Sequence, residues 1–322
     1  MSTASRIAAG GLQGGITWAG PGRTAFAVPV ALGASRVPSE CADSSGISEC
    51  LGAGFDSPRA QALQDFFAAR GASGSRDGLD SGCLILTDER LYDASWIGED
   101  AGPGSCTGVH TLAEIDDVGT IVLCAPGTGS GLARREEAVV DLAARRGEIF
   151  FLLEKSQGGG MASGRGPIDL IFPNVAVIDS RRTSIGALAG FLEASDWAHE
   201  VTYRTWPAEL PAGLEREDVA PLQAWRRRAG LRRSIDLGTR WIVFELSHPI
   251  LWRSLERDVS AFLYRLKRLG FFTGLKFCSE DCRVECVPSV DSRAEANDSS
   301  RLRIRINVQE ESMASPGRFS LR

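Results

Sequence analysis

The stretch VGTIVLCAPGTGSGLARREEAVVDLAARRGEIFFLLE, residues 118 to 154, holds the pattern from which the fold can be read. Val118 to Cys124 is an almost unbroken apolar run rich in β-branched residues, the mark of a strand buried on both faces. Ala125 to Gly131 places one proline and three glycines in seven residues and reads as a tight connection. Leu132 to Arg146 then alternates apolar and charged residues at helical period and stops at Gly147. Ile149 to Leu153 follows as another strand. Strand, helix, strand with short connections is the βαβ unit of a parallel sheet, so the expectation is an α/β layer structure.

The same reading extends in both directions. Upstream, Cys83 to Leu86 is a buried strand, and Ala60 to Arg70 is a helix whose Leu63, Phe66 and Phe67 share one face, closed by Gly71. Val37 to Pro58 is dominated by serine, glycine and acidic residues and reads as a surface loop, while Ala25 to Leu32 opens the folded part. Gly10 to Gly22 reads as an arm carrying one strand at Gly15-Ile16-Thr17-Trp18.

Downstream, Gln157 to Gly166 has five glycines in ten residues and precedes the apolar runs Ile168 to Phe172 and Val175 to Ile178. Leu222 to Leu237 reads as a helix with a basic outer face leading into a strand at Trp241 to Glu245. Leu251, Leu255, Val259, Phe262, Leu266 and Leu269 form one stripe on a long helix ended by Gly270. Leu302, Ile304, Ile306 and Val308 alternate with Arg301, Arg303, Arg305 and Asn307, and Arg318 to Arg322 repeats the alternation at the end of the chain.

Composition narrows the function. A chain of 322 residues with 43% hydrophobic content suits two domains. The formal charge of -5, from 36 basic and 41 acidic residues, lacks the basic excess of a nucleic-acid binder. Every apolar run falls far short of the ~20 residues of a membrane span, and Met1 to Gly22 has no continuous apolar core of a secretory signal. The expectation is therefore a cytosolic chain whose eight cysteines stay reduced.

Candidates for chemistry are few. Gly127, Gly129 and Gly131 lie between a strand and a helix, and Glu154 ends the next strand, as in a dinucleotide-binding unit. Leu132 stands where the last glycine of that pattern belongs, so turn chemistry is the simpler reading. Cys278, Cys282 and Cys286 lack the fourth ligand of a structural zinc site, and no histidine lies nearby in sequence. His110, His199 and His248 stand alone, and Ser130 has no nucleophile-elbow glycines. Asp116-Asp117 and Glu136-Glu137 read as solvated acids, and Arg226-Arg227-Arg228 with Arg232-Arg233 as a solvated helix face. No catalytic, cofactor-binding or metal residue is assigned.

Several segments, in order, resemble the phage tail sheath family, which includes the sheaths of contractile injection systems. Phe66-Phe67-Ala68-Ala69-Arg70-Gly71 is similar to the family's double-phenylalanine helix end, and Trp96-Ile97-Gly98 to a turn after an acidic stretch. Gly108 to Leu112 and Asp117 to Gly127 resemble its G-L-x-x-L, D-V, L-x-A-P-G run. Arg145 to Leu153 resembles the step from a charged helix end into a core strand, and Gly186-Ala187-Leu188-Ala189-Gly190 with Asp196 a small-residue segment followed by an acid. Ser234-Ile235-Asp236-Leu237-Gly238-Thr239-Arg240-Trp241-Ile242-Val243-Phe244-Glu245, followed by Leu251-Trp252, is similar to its G-T-q-W-v-V-F-E…LW signature. A P-G-V-Y-V-E-E opening strand is absent, and the segment between Pro211 and Gln223 is shorter than the family's, so the resemblance is to a shortened or divergent member.

The resemblance implies an α/β fold with a βαβ-containing outer domain plus an α+β C-terminal sheath domain with extended N- and C-terminal strands. The boundaries it implies are an arm over 1–23, an outer or middle domain over 24–210 and the C-terminal sheath domain over 211–322. It implies a non-enzymatic structural subunit without a cofactor, assembling around an inner tube by strand addition between subunits. The interface residues implied are Ile16, Trp18, Arg301, Arg303, Arg305, Arg318, Phe319 and Leu321. Partners would be other sheath subunits, an inner tube protein and baseplate or cap proteins, with no nucleic acid and no membrane. The protein would be cytoplasmic during assembly and then part of a phage tail or injection particle. The alternatives are a specialised sheath-like ring at a baseplate or cap, and a nucleotide-binding α/β enzyme.

Overall fold

The computed structural model describes residues 15–29, 37–51, 58–72, 82–93, 97–102, 104–124, 132–155, 166–198, 210–244, 249–268, 271, 275–276, 285–288, 302–310 and 317–321. They divide into two compact units, one of residues 20–198 and 210–230, the other of residues 15–19 and 231–321.

The larger unit is built on a seven-stranded sheet. Its strands are β1 (Arg23–Pro29), β2 (Ser39–Cys41), β3 (Cys83–Asp88), β4 (Val118–Leu123), β5 (Phe150–Glu154), β6 (Ile168–Phe172) and β7 (Val175–Ile178). Their spatial order is β2-β3-β1-β4-β5-β7-β6. The inner five run parallel, and β2 and β6 close the two edges antiparallel to their neighbours. The helices are α1 (Ile47–Leu51), α2 (Pro58–Ala72), α3 (Val109–Ala113), α4 (Leu132–Arg145), α5 (Ile185–Ala198) and the first part of α6 (Arg216–Thr239).

Alternation along each inner strand divides its side chains between two cores. Phe26, Val28, Ile85, Val122, Phe150, Leu152 and Ile178 pack with Leu63 and Phe66 of α2, Leu188 and Phe191 of α5, and Leu222 of α6. Ala27, Leu86, Ile121, Leu123, Phe151, Leu153 and Val177 pack with Val109 and Leu112 of α3 and Val139 and Leu142 of α4. Helices cover both faces, which is why the strands read as continuous apolar runs. The close approach of α2 and α5 depends on glycine: a Cβ at Gly186 would lie 1.7 Å from the Ala62 carbonyl oxygen, and one at Gly190 2.3 Å from that of Phe66.

The smaller unit contains the end of α6, the long helix α7 (Pro249–Arg268) and four strands, β8 (Leu275–Lys276), β9 (Glu285–Pro288), β10 (Leu302–Glu310) and β11 (Gly317–Leu321). Strand β10 is central, antiparallel to β11 on one side and to β9 and β8 on the other. The stripe on α7 is buried at Leu255, Val259, Phe262 and Leu266, joined by Leu263.

Four expectations are corrected. The strand expected from Trp241 to Glu245 is not formed over its described residues: Arg240–Phe244 winds into a 3-10 turn directly off α6, and Glu245 lies outside the described residues. A short apolar run has no periodicity to separate strand from helix, and the preceding helix decides it. Residues 15–20 lie in no strand; the Ile16 carbonyl accepts from the Arg265 guanidinium, and the Ala19 amide and carbonyl pair with the Ser234 and Arg233 side chains. The loop expected from Val37 to Pro58 includes β2, α1 and a 3-10 turn capped by Asp43. Arg226 does not belong to a solvated face; it is fully buried and bonds the Thr120 hydroxyl of β4.

Candidate assembly surfaces

Two chain segments carry the expected interface residues. In the first, residues 15–19 lie against α6 and α7 of their own unit. The Arg265 guanidinium of α7 donates to the Ile16 carbonyl. The Ala19 amide donates to Ser234 Oγ at 2.8 Å, and Arg233 Nη1 donates to the Ala19 carbonyl at 3.1 Å. Trp18 meets Phe271 edge-on, with ring centroids 5.0 Å apart. Ile16 is 4% exposed. It packs over Gly238, where a Cβ would fall 2.8 Å from its Cγ2. Ile16 and Trp18 therefore act as an intramolecular anchor for the chain's N-terminal segment.

The second segment is the C-terminal strand pair. Strand β11 aligns Leu321, Phe319 and Arg318 with Ile304, Ile306 and Asn307 of β10. On the other side of β10, Arg303 stands opposite Val287 and Arg305 opposite Glu285. Arg301 lies outside the described residues. The terminal strand expected from the alternation is present and is paired within its own chain, and β11 is an edge of that sheet. An edge strand leaves one row of backbone donors and acceptors without a ladder partner, which is the chemistry of strand addition.

The candidates for catalysis do not converge. The loop with Gly127, Gly129 and Gly131 is outside the described residues, and Glu154 ends β5 as expected. Beside that strand end, Arg135 of α4 is 2% exposed and gives Nη2 to the Cys124 carbonyl at 3.0 Å. Burial lowers its pKa to about 10 and raises that of the Cys124 thiol to about 12. Arg59 of α2 likewise donates to the Pro29 carbonyl at 2.9 Å, so both arginines serve main-chain carbonyls at strand ends. His110 is buried on α3, while His199, His248, Cys278 and Cys282 are outside the described residues. Among the described residues no group of three or more His, Cys, Asp or Glu side chains is arranged to hold a metal ion.

Three polar features of the frame went unread in the sequence. Arg70 and Glu193 form an ion pair at 3.2 Å, their side chains only 6% and 3% exposed. The other Glu193 oxygen accepts from the Thr24 amide at 3.0 Å, tying α2 and α5 to β1. The available signal was position, since Arg70 continues the helical face of Leu63, Phe66 and Phe67. Arg226 is the second. Asn174 is the third: its Nδ2 donates to the carbonyls of Ala143 at 3.1 Å and Ile149 at 2.8 Å, joining the end of α4 to the turn before β7.

Solved structures share this arrangement of elements. The contracted helical sheath of the anti-feeding prophage superimposes with a TM-score of 0.54 at 13% identity, covering 96% of this chain and 94% of that one. The sheath tail protein of Listeria innocua gives 0.52 at 8% identity over 93% and 94%. The chain has the tail sheath fold. At these identities the sheath fold is retained almost end to end while most side chains differ. No family model matches the chain, and no curated protein sequence matches it.

Proposed function

We propose that the chain is a structural subunit of the contractile sheath of a phage tail-like particle or injection system. The observation that carries this reading is the likeness of nearly the whole chain to two sheath structures, each matched over 94% of its own length. The subunit packs around an inner tube, with other sheath subunits and baseplate or cap proteins as neighbours, and turns over no substrate. It assembles in the cytoplasm and leaves as part of the particle. No helix among the described residues is long and apolar enough to cross a membrane.

Strand addition joins the subunits. Strand β11 leaves its place on β10 and the equivalent strand of a neighbour takes up the same register, so the pairs Ile304 with Leu321 and Ile306 with Phe319 re-form between chains. Arg305 and Arg318 lie within that register, opposite Ser320 and Asn307, and residues 15–19 hold the N-terminal arm at its root. Weak single links suffice because a helical lattice repeats them many times.

The test is negative-stain electron microscopy of the purified protein, alone and with the products of neighbouring genes. Tubes or stacked rings are the expected result. Particles that carry the protein at one end only would replace the bulk sheath by a terminal ring, and a protein that joins nothing overturns the structural reading.

A further inference from the structure

Charge is divided unevenly along the chain. Residues 20–230 carry 29 acidic and 19 basic residues, a formal charge of -10, while residues 231–322 carry 12 acidic and 16 basic, a formal charge of +4. The step from 230 to 231 is also the boundary between the two compact units. An acidic larger unit and a basic smaller one are thus hidden within a total of -5.

The basic charge is concentrated on one side of α7. Leu255, Val259, Phe262, Leu263 and Leu266 are buried on the other. At about 100° per residue, Arg253, Arg257, Lys267 and Arg268 fall together with Ile250 and Tyr264 on a single face, and all six are exposed. Ile250 and Tyr264 are 71% and 62% exposed, and the Arg257 side chain 75%. The two acids of this helix, Glu256 and Asp258, lie to either side of that face. Arg257 Nε is 3.3 Å from Asp258 Oδ1, an exposed pair of little strength. A merely solvated face would mix both signs of charge, whereas arginine and tyrosine beside an aliphatic side chain are the composition of a protein interface.

The complement lies on the larger unit, around α3. Cys106 Sγ is 3.6 Å from Asp100 Oδ1 and 3.1 Å from Glu114 Oε1, which brings those two carboxylates to one loop. Glu99 and Asp116, next to them in sequence, are exposed, and Asp117 follows. Arg145 pairs with Asp100 at 2.8 Å and Arg23 with Asp117 at 2.6 Å. Five carboxylates share this corner with those two guanidinium groups, and the balance is acidic.

We propose that copies of the chain dock head to tail, with the cationic face of α7 on one copy seated against the acidic corner of Glu99, Asp100 and Asp116 on the next. Each copy offers both surfaces, so the contact is heterologous and propagates into a ring or a helical filament. A symmetric contact of α7 with α7 is opposed by like charge. The docking rests on the reading that copies of this chain assemble. To strand addition it adds a charge contact that steers the encounter and fixes its orientation before β11 pairs.

The experiment follows association of the full chain by sedimentation velocity from about 0.1 M salt, where charges are felt over about 10 Å, to about 1 M, where the range is about 3 Å. Association should weaken about ten-fold or more across that series. At the low-salt end, Arg253→Glu with Arg257→Glu should lose association while its circular dichroism is unchanged, and Glu99→Lys with Asp116→Lys should do the same. Mixing the two reversed proteins should restore it, because each then offers the charge the other lacks. Full association of the α7 variant overturns the proposal. So does a mixture of the two variants that stays monomeric, which would assign the α7 face to a different protein such as an inner tube. The salt series on the unaltered chain decides without any variant. Association that is equal at both ends overturns the docking and leaves strand addition, whose hydrogen bonds and apolar pairs salt does not screen. A chain that is monomeric at every salt overturns the assembly reading together with it.

Discussion

His110 shows how burial, more than its charged neighbours, sets the behaviour of one side chain. It lies 6% exposed on α3. Burial, followed by the Arg145 charge, lowers its pKa below the ordinary 6.5, with Asp100 and Glu114 pulling the other way. The folded protein thus refuses a proton that the unfolded chain accepts, so the contribution to stability is intact above 6.5 and declines as the pH falls toward the folded value. The slope from this one group is at most about 1.4 kcal/mol per pH unit. His110→Gln should flatten that part of the profile, read as the difference in urea midpoint between the two proteins from pH 7 to pH 5. An unchanged difference across that range would remove His110 from the account. Arg70 and Glu193 make the complementary point, since each buried charge is balanced by the other 3.2 Å away, with the Thr24 amide also bonded to Glu193.

Among the elements, the crossing of α2 and α5 is tightly constrained. Its closeness is set by backbone, because carbonyl oxygens of α2 occupy the space a side chain at Gly186 or Gly190 would need. Gly186→Ala should therefore force the helices apart and lower stability by about 2 kcal/mol, within the usual cost of overpacking. Gly71→Ala is the control, because a Cβ there meets nothing within 4 Å. In a helix that replacement should raise stability by up to about 1 kcal/mol. Chemical denaturation of the two variants reads both signs, and a neutral Gly186→Ala would mean that the crossing adjusts without cost.

Across the whole chain, the C-terminal strand pair decides how copies join. The core of the larger unit draws on strands β1 to β5 and β7 and on their helices, none of which includes β11. Deleting residues 316–322 should accordingly leave a folded protein, with its circular dichroism and melting transition preserved. It should also abolish tubes or rings, because β10 loses the strand that carries the link. Tubes that persist after the deletion would rule out strand addition through β11 while leaving the fold untouched.

Much of this could be read in the residues themselves. Continuous apolar runs such as Ile121 to Leu123 and Phe150 to Leu153 require cover on both faces, and the stripe from Leu255 to Leu266 can only be one side of a helix; local periodicity is sufficient for both. Leu302 to Val308 alternated strictly and became β10 for the same reason. Tertiary context settled the rest. Trp241 to Phe244 follows the helix before it because four apolar residues hold no period of their own. Ile16 and Trp18 are anchors because Gly238, Phe271 and Arg265 come to them from more than two hundred residues away. Arg70, Arg226 and Glu193 are buried because their partners lie on other elements, and no local pattern of charge encodes a contact made across the chain.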